Sequence, residues 1–173
     1  MRTRLPMLAG LALLLLPLRA QAQWSLRVAV EAPLYSHTSV AGQSSSFGIH
    51  ESFQPTLDLL GSYFFADTLS IDLEFRRGLA ATGTGYSRQL TYLGPGVTLD
   101  VPTFPLYGRA ALPIQIEDSA VVFLRLGGGL KIIDLAVFRL YFEVTADFPL
   151  AGSGVSFFGS QTFSAGLGAW LKL

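Results

Sequence analysis

The chain has no cysteine, only two histidines, and charge on only 14% of its residues. Without cysteine it has no disulfide framework, no thiolate metal site and no Cys nucleophile, so packing, strand pairing or lipid must hold it together. It has no Lys/Arg stripe either. Twelve basic residues balance twelve acidic ones, which excludes the concentrated basic footprint that nucleic-acid binding needs. The one extended apolar run, Leu5 to Leu18, falls short of the roughly 20 residues that span a bilayer as a helix. No linker, charge block or Pro-rich segment divides the sequence.

That short run is part of a different signal. Met1 to Arg4 is basic, and Ala20-Gln21-Ala22 is a small-x-small cleavage pattern. Together they read as a secretory signal peptide over 1–22, followed by one domain over 23–173. Cleavage removes three of the twelve basic residues and none of the acidic ones, which leaves the mature chain mildly acidic.

Period-two alternation dominates the rest. Thr68 to Arg77 is the cleanest case: Leu69, Ile71, Leu73 and Phe75 alternate with Ser70, Asp72, Glu74 and Arg76. Such alternation marks a strand between two different environments. The same pattern predicts eight strands: Trp24 to Tyr35, Gln54 to Phe65, Thr68 to Arg77, Arg88 to Val101, Phe104 to Ile116, Val121 to Ile133, Leu135 to Phe148 and Gln161 to Leu173. In the fourth, Leu90 and Tyr92 stand out of phase with Val97, Leu99 and Val101. A bulge or bend at Gly94-Pro95-Gly96 would absorb the slip.

Connections alternate in length. Ser36 to Phe53 is long and polar, Gly78 to Ser87 and Pro149 to Ser160 are long, and Glu117 to Ala120 is intermediate, whereas Ala66-Asp67, Pro102-Thr103 and Asp134 are short. An up-and-down meander sends alternate connections to opposite ends, giving tight turns at one end and long loops at the other. A strand of about 11 residues, tilted about 45°, projects to roughly 25 Å, the height of the apolar band of a membrane barrel. Aromatics gather at predicted strand ends, Trp24, Phe65 and Phe104 at one end and Tyr35, Phe75, Phe148 and Phe163 at the other, as interfacial girdles do.

The apolar face is bulky, and the opposite face is small and charged. An eight-stranded interior is only just wide enough for side chains to fill, so the mixed face suits the inside. Arg27, Glu31, Asp58, Asp72, Glu74, Arg76, Arg109, Arg125, Lys131, Arg139, Glu143 and Asp147 are therefore expected in the lumen, paired into a plug. Gly127 and Gly129 would make room for large lumen neighbours, and Trp170 would close the short-turn end.

On this pattern the chain resembles the small outer-membrane β-barrel family, the OmpA/OmpX-type transmembrane domains. The expected fold is all-β, an eight-stranded antiparallel up-and-down transmembrane β-barrel preceded by a cleavable signal peptide. The resemblance implies a bacterial outer-membrane location, partners among outer-membrane lipids and the barrel-assembly machinery, and a monomer with an unknown extracellular ligand or surface partner. The sequence ends in Leu173 where such barrels usually end in an aromatic.

Chemistry-bearing residues are sparse. His37, His50, Glu51 and Ser44-Ser45-Ser46 share the first long connection, where a Ser-His-acid set or a metal site would have to be built on a polar loop, a poor frame for either. The expectation is no catalytic, cofactor-binding or metal-ligating residue and no cofactor, with a non-enzymatic structural or surface-interaction role carried by the loops. A narrow pore, a lipid-modifying enzyme and a soluble lipocalin-like ligand-binding barrel are the alternatives.

Overall fold

The computed structural model describes residues 23–40, 43–49, 53–79, 90–117, 120–152 and 159–173. Among these, ten strands run antiparallel in one sheet: β1 (Gln23–Val40), β2 (Gln43–Gly48), β3 (Thr56–Ala66), β4 (Leu69–Gly78), β5 (Thr91–Asp100), β6 (Leu106–Ala111), β7 (Ile114–Gln115), β8 (Val121–Asp134), β9 (Phe138–Ala151) and β10 (Ser160–Lys172). They make eight staves. β2 and β3 both pair with β1 and together form the second stave, and β6 and β7 form the fifth. The sheet closes because β1 pairs with β10, from Ser25 opposite Lys172 to Thr38 opposite Ser160. Closure removes the open edges of the sheet.

The two faces of this cylinder reverse the usual order of a soluble protein. Leu73, Val97, Leu130 and Leu167 stand on the outside, each more than 40% exposed, while all twelve charged residues assigned above to the lumen are buried. Burying charge and exposing aliphatic surface is unfavourable in water and favourable in a bilayer. A soluble barrel with an apolar interior is therefore ruled out. The girdle residues hold the expected places: Trp24 packs edge-on against Tyr63 at the short-turn end, and Tyr35, Phe148 and Phe163 cluster at the loop end.

Three sequence expectations change. First, Ser36 to Phe53 is not a polar loop throughout. β1 continues to Val40 and pairs with β2 from Tyr35 opposite Gly48 to Val40 opposite Gln43, forming a ribbon that extends the barrel wall at the loop end, where β1 still pairs with β10 as far as Thr38 opposite Ser160. Second, the turn between β8 and β9 lies at residues 135–137 rather than at Asp134, with the Leu135 N–H donating to the Phe138 carbonyl at 2.9 Å.

Third, the fourth stave has no slip. β5 keeps continuous register with β4 from Leu69 opposite Leu99 to Arg77 opposite Thr91. Leu93, Pro95, Val97 and Leu99 face outward and Tyr92 faces the lumen. The irregularity belongs to the neighbouring stave, where Pro113, which has no N–H, separates β6 from β7. The ladder survives around it: Leu112 N–H donates to the Pro95 carbonyl at 2.8 Å, and Phe123 N–H to the Pro113 carbonyl at 2.9 Å.

This close passage requires glycine at position 94. A Cβ there would lie 2.2 Å from the Leu112 carbonyl oxygen and 2.6 Å from the Pro113 Cα. Both neighbours are backbone in a paired stave and cannot swing away. Gly94→Ala should cost about 1–3 kcal/mol, the usual range for overpacking, read as a lower urea midpoint for the refolded barrel with an unchanged slope.

Candidate functional site

The lumen is the candidate site, and alternation puts it together. Every second residue of each stave points inward, so eight staves deliver their polar positions to one axis. The charges fall into tiers along that axis.

Nearest the short turns, Asp100 forms ion pairs with Lys131, at 2.7 Å, and with Arg139, which also pairs with Asp134. Asp100 is 1% exposed. The expected lumen set does not include it. Its position between Leu99 and Val101 was the available signal.

The next tier is aromatic. Trp170 is fully buried, stacks on Phe64 with centroids 5.8 Å apart, and meets Tyr107 edge-on at 5.8 Å. The Arg27 guanidinium lies 3.9 Å from the Trp170 ring and that of Arg139 4.8 Å away. Such cation–π contacts offset part of the desolvation cost of burying arginine. Tyr107 and Tyr141 cross the lumen over glycines: a Cβ at Gly129 would lie 2.3 Å from the Tyr107 ring, and one at Gly168 2.4 Å from that of Tyr141. Gly129 thus makes the expected room, and Gly127 does so beside Glu143, Arg109 and Thr145.

Above the aromatics lies the densest tier. Arg109 reaches Glu74 at 2.5 Å, Glu143 at 3.1 Å and Asp58 at 3.2 Å. Arg125 reaches Glu74 at 2.7 Å, pairs with Glu31, donates to Thr145 Oγ1 at 2.9 Å, and lies 3.8 Å from both Asp58 and Asp147. The Tyr107 hydroxyl donates to Glu143. Six staves contribute to this tier, so it ties together opposite walls of the cylinder. Planar guanidinium forks suit this task because each can serve several carboxylates at once.

At the loop end, Arg76 pairs with Asp147 at 2.8 Å while its guanidinium lies 4.2 Å from the Tyr92 ring. Beyond this pair the lumen widens into a pocket of about 230 Å3. Ser36 and Thr162 join hydroxyls at 3.0 Å on one side of its wall. The ribbon stands over this end. On it His37 Nδ1 and Ser46 Oγ are 2.8 Å apart across the ladder, so the frame is more regular than a loop. His50 and Glu51 lie outside the described residues, as does the expected signal peptide. Among the described residues no group of three or more His, Asp or Glu side chains is placed to hold a metal ion.

Comparisons with known proteins bear on the fold. No protein-family model and no curated protein matches the sequence. Among solved structures, the crystal structure of Neisserial surface protein A (NspA) matches with a TM-score of 0.54 and 10% identity, over 87% of this chain and 97% of that one. The fold is a transmembrane β-barrel of outer-membrane type. A de novo designed transmembrane β-barrel also matches, with a TM-score of 0.43 and 12% identity over 86% of this chain and 95% of that one. At 10% identity the NspA match speaks for architecture, and the site must be read from its own residues.

Proposed function

We propose that the chain serves as a non-enzymatic outer-membrane barrel whose lumen is plugged by charged pairs, and which meets its surroundings through the ribbon and the other connections at the loop end. The observation that carries this reading is the Arg109–Arg125 tier. Its carboxylates come from β1, β3, β4 and β9 and its guanidiniums from β6 and β8. An ion crossing the lumen would have to part several buried pairs at once, each removed from the water that would otherwise compensate it.

On this reading residues 1–22 are a cleaved signal peptide and 23–173 the mature barrel. The short turns face the periplasm and the ribbon faces outside. The barrel-assembly machinery and outer-membrane lipids are its partners during insertion, the mature form is a monomer, and a surface partner meets the ribbon. The His37–Ser46 pair works here as a cross-strand contact, because nucleophilic catalysis also needs an orienting acid and preorganised oxyanion donors.

Planar-bilayer recording of the refolded mature chain tests the plug. The expected result is a flat trace at moderate voltage; discrete conductance steps would replace the plug with the narrow-pore reading. Comparison of boiled and unboiled samples by electrophoresis, with membrane fractionation, tests the location. A heat-dependent shift in the outer-membrane fraction is expected, and recovery in the soluble periplasm would overturn it.

A further inference from the structure

The pocket at the loop end has a chemistry that the plug does not require. Its floor is one cation and one anion side by side, Arg76 and Asp147 at 2.8 Å, both at least nine-tenths buried. Ser164, Phe47 and Phe123 line the wall. Tyr92 fixes the arrangement, with the Arg76 guanidinium on its face and the Phe123 ring edge-on to it at 5.7 Å. The pocket thus joins a dipolar floor to aromatic walls, one of which, Phe47, is carried by the ribbon.

We propose that this pocket binds a small zwitterion with an apolar body, such as an α-amino acid with a bulky apolar side chain. The floor has no net charge. A monoanion drawn to Arg76 is repelled by Asp147, and a monocation drawn to Asp147 is repelled by Arg76. A head group with both charges on adjacent atoms meets both partners, its carboxylate beside the guanidinium and its ammonium beside the carboxylate. Rejection of the singly charged analogues is a built-in source of selectivity. The apolar walls strengthen these interactions by excluding water, and Phe47 and Phe123 receive the side chain. At about 230 Å3 the space lies below the roughly 300–1,000 Å3 of pockets for drug-sized ligands, which suits a single small metabolite.

Phe47 is the informative wall residue. It sits on β2, opposite Ser36 at the loop end of the wall, and takes no part in the ion pairs of the lumen, so its replacement leaves those pairs intact.

Titration calorimetry on the refolded barrel in detergent tests the proposal with three probes of similar apolar body: L-phenylalanine, 3-phenylpropionate and 2-phenylethylamine. L-Phenylalanine should bind saturably, with a dissociation constant on the order of 1 mM or tighter and about tenfold below those of the other two. Phe47→Ala should weaken it about fivefold without altering the heat-dependent gel shift. Asp147→Asn should erase the preference for the zwitterion over 3-phenylpropionate. Equal affinities for the three probes, tightest binding of the anion, or no saturable binding would each overturn the proposal. An unfolded Asp147→Asn barrel leaves the probe series and Phe47→Ala to decide. The conductance recording is independent: a conducting barrel would overturn the plug and leave this comparison standing.

Discussion

Arg125→Leu should destabilise the barrel by about 3–5 kcal/mol, the cost of breaking a buried ion pair from one side. Glu31 is the reason for placing the effect so high. Among the described residues its carboxylate pairs with Arg125 and with no other cation, and it is 2% exposed. Glu74 and Asp58 retain Arg109, and Asp147 retains Arg76. The measurement is the urea midpoint of folding into detergent or lipid, with the temperature of the gel shift as a second reading. Arg125→Lys should fall between wild type and Leu, because it keeps the charge and loses the fork. Adding Glu31→Leu to Arg125→Leu should recover part of the loss, since the stranded carboxylate goes with it. Arg139→Ala should cost less than Arg125→Leu, as Asp100 keeps Lys131. Equal midpoints for Arg125→Leu and wild type would mean that water reaches the tier freely and that the charges do not brace the walls.

Leu167→Arg should have the second largest effect, on the opposite face. Leu167 is 62% exposed, near the middle of β10, opposite Val30 and Phe142. In a bilayer this places it close to the midplane, where arginine on the lipid face of a barrel costs about 2–4 kcal/mol. The same change at Leu171, nearer the short-turn end, should cost about 0–1 kcal/mol. A depth-dependent pair of values from folding into lipid vesicles would establish both the lipid face and its height. Equal small costs at both positions would place this surface in water.

Much of the fold was legible in the sequence because a membrane barrel writes its two environments into alternate residues. β4 shows this best: Ile71, Asp72, Leu73 and Glu74 name their faces one by one, and the structure keeps all four assignments. The twelve expected lumen charges are buried for the same reason. The ribbon was hidden because nothing alternates around it. Ser44, Ser45 and Ser46 belong to a paired strand, but all three are exposed, so no contrast of two environments imposes period two on them. Tyr92 departs from its expected phase for a different cause. Gly94 and Gly96 have no side chain and Pro95 is at home on either face, so the three residues carry no parity across the strand. Partners within the lumen stayed out of reach, since alternation gives direction and says nothing of register: that Arg125 meets Glu31 depends on how far each stave is shifted along the next.

The length of β1 carries a mechanical consequence. Its 18 residues extend to roughly 60 Å at about 3.3 Å each, while the apolar band of such a barrel is only about 25 Å tall. Even with a strong tilt, the upper part of this strand rises above the apolar band as a stalk. The stalk is continuous with the seam, because the strand that rises into the ribbon also closes the cylinder, with Thr38 opposite Ser160 near the top and Ser25 opposite Lys172 near the bottom. A pull applied to the ribbon from outside would load both ladders of β1, to β10 and to β3, in shear, along many hydrogen bonds at once, rather than peel them apart one after another.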